Sequence, residues 1–213
     1  MPLWIVRSFI VILLLGLAGT ASAIDVKLTM DEAKKVLAAG REPMDAANNP
    51  EDVKKLLQQA STATRVGADP EKDPCGANAV LRTKRYWLES FGRQEATESK
   101  KQKREVRMPD DKIQKILDMP NLEISIQLCG DDEYFAEGAQ VVLQQGGKMV
   151  KPIDVSPADK GRRNEGGTDL AYRSRFTARF SYDSFDPNAK TKVVINLLDG
   201  KQIEFEADLS RVK

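Results

Sequence analysis

The sequence predicts a mainly β chain of the α+β class: an antiparallel β-sandwich preceded by a short helical N-terminal segment. Three observations carry this expectation. From Leu122 onward, apolar residues recur at every second position, the period of a half-buried strand. Glycine, Asp and Asn clusters separate those runs, as turns do between strands. Before residue 70 the apolar period is instead three to four, behind two helix-start signals.

The chain opens on MPLWIVRSFIVILLLGLAGTASA, residues 1–23. Arg7 supplies a positive n-region, residues 9–17 an apolar h-region, and Ala21-Ser22-Ala23 a small-residue cleavage site. That order is the order of a secretory signal peptide, and the apolar run is shorter than the ~20 residues of a spanning helix. The alternative is an uncleaved anchor. Cleavage leaves residues 24–213 with no membrane span, exported to the periplasm or the external medium. No cysteine stands near the cleavage site, which argues against a lipid anchor.

The whole chain carries a formal charge of +1, and Arg7 is the leader's one charged residue, so the expected mature chain is neutral. Neutrality gives no global electrostatic case for binding nucleic acid. The chain has no histidine, which removes His-dependent triads and the His ligands of catalytic zinc sites. A chain of this length buries roughly 70% of its unfolded surface, so it needs no metal or cofactor to fold.

Residues 24–70 form the helical segment. Thr29 and Glu32 have capping-box spacing, Ala33, Val36 and Leu37 share a face, and Gly40 is the expected stop. Asn49-Pro50-Glu51-Asp52 starts a second helix whose stripe is Val53, Leu56, Leu57 and Ala60. Each helix is too short to stand alone, so both are expected to dock. VGADPEKDPCG then forms a turn-rich linker ending at Cys75, inside a β-domain expected over residues 71–213. AVLRTKRYWLESFGRQ, residues 79–94, has the aromatic and β-branched content of strands. ESKKQKREVR is basic but interrupted by Glu98 and Glu105 and free of aromatics, which fits a solvated connection. MPDDKIQKILDMP is a short helix between Pro109 and Pro120, with Ile113, Ile116 and Leu117 on one face.

The strands follow. Leu122, Ile124, Ile126 and Leu128 alternate with Glu123, Ser125, Gln127 and Cys129. AQVVLQQGGKMVKPI is a hairpin about Gly146-Gly147, and residues 156–170 are a polar loop with three glycines. Tyr172, Phe176, Ala178, Phe180 and Tyr182 face away from Arg173, Arg175, Thr177 and Arg179. A last hairpin turns at Asp199-Gly200, a type I′ signal, before Ile203, Phe205, Ala207 and Leu209. Short antiparallel strands with one apolar face each are laid out in an immunoglobulin-like manner. Trp87 lies between the two cysteines, but Cys129 falls on the polar side of its strand. An inter-sheet staple of the antibody kind is therefore not expected.

Two cysteines in an exported chain point to a Cys75–Cys129 disulfide. Two free buried thiols are the alternative; a nucleophile lacks an imidazole to activate it, and zinc lacks further ligands. The bond would tie the linker to the sheet's outer surface and hold the helical segment against it.

No nucleophile elbow, P-loop or dinucleotide fingerprint occurs. Ser210 and Lys213 have a dyad spacing, but at a frayed terminus. Asp131, Asp132 and Glu133, or Asp183, Asp186 and Asn188, have carboxylates for calcium or glycoside chemistry, yet Asx-rich turns ordinarily bond their own backbone. No catalytic residue, metal or cofactor is expected. The row Arg173, Arg175 and Arg179 is the most specific polar feature: a contact for an acidic partner, or one half of a cross-strand pairing with Glu204, Glu206 and Asp208. The pairing is the expectation. Function is expected to be that of a non-enzymatic binding or assembly module of a bacterial cell envelope, with an envelope protein or glycan as partner. The alternative is an exported carboxylate hydrolase of a cell-wall or extracellular polymer.

Overall fold

A computed structural model describes residues 24–163 and 172–209. Among these residues the fold is mixed α+β, with four helices and ten strands in two antiparallel sheets. The leader, the Ser210–Lys213 spacing and residues 164–171, most of the second half of the polar loop, lie outside the described residues.

Helix α1 (Met30–Ala46) starts on the expected capping box. The Thr29 hydroxyl accepts the Glu32 N–H at 3.3 Å, and the Glu32 carboxylate accepts the Thr29 N–H at 2.8 Å. Gly40 does not end the helix, which runs on through Pro43. The reason is tertiary. A Cβ at Gly40 would lie 2.3 Å from the Glu89 carbonyl oxygen, so the residue is spent on close helix packing and not on a turn. The stop comes from elsewhere: the Lys100 ammonium donates to the carbonyls of Met44 and Ala47 at 2.6 and 2.7 Å. Part of the basic run is thus a cap.

Helix α2 (Pro50–Ala63) has its Asn49 cap, 2.9 Å from the Asp52 N–H, and Pro50 in its first turn. It buries none of its residues completely, and Leu57 is 47% exposed. Firm docking holds for α1 alone.

Strand β1 (Arg65–Gly67) pairs with β2 (Asn78–Arg82). The expected strand over 79–94 ends early: Thr83 accepts the Tyr86 N–H at 3.1 Å and begins helix α3 (Lys84–Gln102). Leu88, Gly92, Glu95 and Ala96 are its buried residues beyond the first turn, a spacing of four, three and one that only a helix brings to one face. Its aromatics are helical core, not sheet. Trp87 and Phe91 pack with Ala33, Val36, Leu37, Leu88, and with Ile113 and Ile116 of α4 (Asp110–Leu117).

The first sheet continues with β3 (Asn121–Gly130), β6 (Asp154–Val155), β7 (Arg162–Arg163) and β8 (Tyr172–Ser181), in the order β1-β2-β3-β8-β6, with β7 also on β8. The second holds β4 (Gln140–Gln145), β5 (Lys148–Val150), β9 (Lys190–Asn196) and β10 (Gln202–Asp208), in the order β10-β9-β4-β5. Leu122, Ile124, Ile126, Phe176 and Phe180 of the first sheet share one buried cluster with Val141, Leu143, Val193, Ile195 and Phe205 of the second. The two-residue period therefore sorts inner from outer positions as expected. The β9–β10 turn is not type I′: φ is positive at Gly200 (85°) but not at Asp199. Leu197 instead accepts from the Gly200 N–H and donates to the Lys201 carbonyl, which makes a three-residue loop with glycine in the left-handed position.

Candidate functional site

Cys75 and Cys129 are joined, with Cα atoms 5.3 Å apart. Cys129 is on the outer side of β3, directly opposite Arg173 of β8. Cys75 ends a loop folded by its own backbone, where Asp69 accepts from the N–H groups of Lys72 and Asp73. The bond pins this β1–β2 loop to the outer face of the first sheet.

That face carries the arginine row, and here one expectation is overturned. Arg173, Arg175 and Arg179 lie on β8 in the first sheet, while Glu204, Glu206 and Asp208 lie on β10 in the second. The two rows do not pair. The hairpin gives Glu204 a nearer cation, Lys192 of β9, at 2.9 Å. Strand β8 is matched over ten residue pairs with β3, so its arginines meet β3 side chains instead. Arg179 lies 3.5 Å from Glu123 and 2.7 Å from Asp154. Glu123 also accepts from Arg82 at 2.7 Å, and the Arg82 guanidinium stands 5.5 Å from the Trp87 ring centroid.

Two cations on this face have neutral partners. Arg175 donates from Nε and Nη2 to Gln127 Oε1 at 3.0 and 2.8 Å. Arg65 Nη1 donates to Asn78 Oδ1 at 2.6 Å. Asn78 and Gln127 are themselves opposite one another on β2 and β3. In register, the outer strand positions of the sheet hold Arg65, Arg82, Arg162, Arg173, Arg175 and Arg179 against Glu123 and Asp154 alone. Arg65, Asn78 and Gln127 had no signal in the sequence. A lone arginine and two amides acquire meaning only when four strands are set side by side.

Several of the carboxylates singled out for calcium or glycoside chemistry have structural duties. Asp132 accepts the Tyr134 N–H at 2.7 Å, and Asp186 the Asn188 N–H at 2.8 Å, both turn bonds. Lys84 is a buried lysine, and burial pulls its pKa below the ordinary lysine value. Its ammonium donates to the Leu117 carbonyl at the end of α4 and stands 5.5 Å from the Tyr182 ring centroid. No group of three His, Cys, Asp or Glu side chains converges among the described residues. No helix among them is long and apolar enough to cross a membrane.

Glu89 titrates with a consequence. Burial raises its carboxyl above the usual value of 4.5, against the opposing pull of Arg85 and Arg93. The folded chain therefore holds this proton more tightly than the unfolded chain. The stability gained from it is full below the unfolded pKa and is lost as pH rises through the folded one. Glu89→Gln is expected to flatten this fall, seen as a smaller difference in denaturant midpoint between about pH 4 and about pH 7. An unchanged difference would place the titration elsewhere.

Compared with family models, curated proteins and solved structures, the chain matches none.

Proposed function

We propose that the chain is an exported, non-enzymatic binding or assembly module of a bacterial cell envelope, and that it engages an acidic envelope protein or glycan through the outer face of its first sheet. The observation that carries this reading is the charge of that face: six arginines in strand positions against two acids. One row across the sheet, Arg82, Glu123, Arg179 and Asp154, interleaves the two signs, and the arginines in the other strand positions have no such row of acids. Here the complementary acids of β10 are on the other sheet; within the row with Arg173, Arg175 and Arg179, Arg179 is paired with Glu123 and Asp154, and the exposed Arg175, in no ion pair among the described residues, is the centre of the contact surface. Leader order and the Cys75–Cys129 bond support export to an oxidising compartment. The two-sheet layout supports an immunoglobulin-like sandwich as the scaffold, a class whose functional surfaces are exposed faces, edges and loops.

Crosslinking in the cell followed by pull-down tests the reading. The wild-type chain is expected to recover an envelope partner. Arg173→Gln, Arg175→Gln and Arg179→Gln together are expected to lose it, with thermal unfolding still cooperative. Equal capture by the triple variant, or no capture by the wild type, would reject it.

A further inference from the structure

The charged groups on the outer face of the first sheet are not all alike. Arg82 and Arg179 are neutralised by Glu123 and Asp154. Arg65 and Arg175 are in no ion pair among the described residues, and each spends its hydrogen bonds on an amide or hydroxyl. Their partners stand in one line across the sheet. Arg175 is opposite Gln127, and Gln127 is opposite Asn78, which holds Arg65. Asp69 is the acid whose field reaches Arg65, but its carboxylate is engaged with the Glu71 N–H at 3.1 Å and with Lys72 at 3.8 Å. Burial, and the charge of Arg175, pull the Arg65 guanidinium below its ordinary pKa. The two cations therefore sense one another.

Between them is an unused donor. Gln127 is 7% exposed, and its Nε2 has no hydrogen-bond partner. The orientation of that amide is fixed, because Oε1 receives two Arg175 N–H groups and must be the oxygen. A buried amide N–H without an acceptor is costly, and the partly buried Arg65 guanidinium, with no ion-pair partner among the described residues, is costly again. One kind of group relieves both: an oxyanion, which offers several acceptor lone pairs and negative charge together. Guanidinium forks suit phosphate oxygens in particular, and two cations match a dianion better than a carboxylate. Arg175 is exposed, and its Nη1 takes part in neither bond to Gln127, so it can donate to such a group from the solvent side while Nε and Nη2 stay on the amide.

We propose that Arg65, Arg175 and Gln127 form a binding site for a phosphate-type dianion, free or as the terminal group of a larger envelope molecule. The site shares its face with the partner surface but needs no partner, so partner capture and anion binding can fail separately.

The test is titration of the purified, oxidised protein with inorganic phosphate and, separately, with a sugar phosphomonoester, followed by calorimetry and by the side-chain N–H resonances of Arg175 and Gln127. Both ligands are expected to bind and to shift those resonances. Tighter binding of the monoester identifies the group as part of a larger molecule; equal binding identifies the free anion. Arg175→Ala is expected to weaken binding at least about tenfold, the loss of one charge-assisted pair. Gln127→Glu is the sharper variant. It keeps the shape, gives Arg175 a carboxylate, and so should leave the fold at least as stable while abolishing anion binding. Lys192→Ala, on the other sheet, should change nothing. Absence of phosphate binding by the wild type, or binding that survives both Arg175→Ala and Gln127→Glu, would overturn the site.

Discussion

Changing Cys75 and Cys129 together to serine is expected to lower the unfolding free energy by up to about 4 kcal/mol. The bond closes a loop of 54 positions in sequence. That loop contains β2, α3, α4 and most of β3, which means two of the three helices of the helical core and two central strands of the first sheet. Cross-linking removes open conformations from the unfolded chain, and more of them the longer the loop. Because β2 and β3 are already paired over five residues, the bond adds little order to the folded sheet itself. Its effect is therefore expected mainly in the unfolded state. With a total stability of roughly 5–15 kcal/mol for a domain, that loss is a large share. Urea unfolding of the oxidised protein, the reduced protein and the double variant checks it. The reduced and serine forms should unfold together, at a lower midpoint than the oxidised form. A midpoint unchanged by reduction would mean that the bond does not constrain the chain.

Features set by neighbours in sequence were legible before the structure. The Thr29–Glu32 box, the Asn49 cap, the α4 helix between its prolines and the inner faces of β3 and β8 all follow from residues within one or two turns of each other. What was not legible depends on residues far apart. Gly40 reads as a stop until Glu89 is placed against it. Residues 84–94 read as strand because Tyr86, Trp87 and Phe91 favour sheets on average. Thr83 was the overlooked signal, a cap before a run whose buried positions recur at three and four. The two-residue period sets both the arginine and the acid rows outward, but nothing local says which sheet a strand joins. That one unknown decided whether the row was neutralised, and with it the position of the candidate site. Trp87 shows the same limit: it stands between the cysteines in sequence, yet packs among helices.

Gly92→Val is expected to destabilise the protein by about 3 kcal/mol, with loss of helical signal. Helices α1 and α3 meet through two glycines, each set against the backbone of the other helix. A Cβ at Gly92 would lie 2.1 Å from the Leu37 carbonyl oxygen, and one at Gly40 would lie 2.3 Å from that of Glu89. The obstacles are main-chain atoms inside hydrogen-bonded helices, so no side-chain rotation makes room. The helices must move apart, and Ala33, Val36, Leu37 and Leu88 then lose the contacts that make their core. Gly92→Ala should cost less, because alanine favours a helix over glycine by about 1 kcal/mol and offsets part of the clash. Valine adds a branched side chain with no such gain. Gly147→Ala, where a Cβ meets nothing within 4 Å, is the control and should unfold close to wild type. Thermal unfolding followed at the helical signal orders the three variants. If Gly92→Val matched Gly147→Ala, the two helices would not be in backbone contact. If it lost the helical signal while a sheet transition persisted, the helical core would be a separate cooperative unit resting on the sheets through β2 and Lys84.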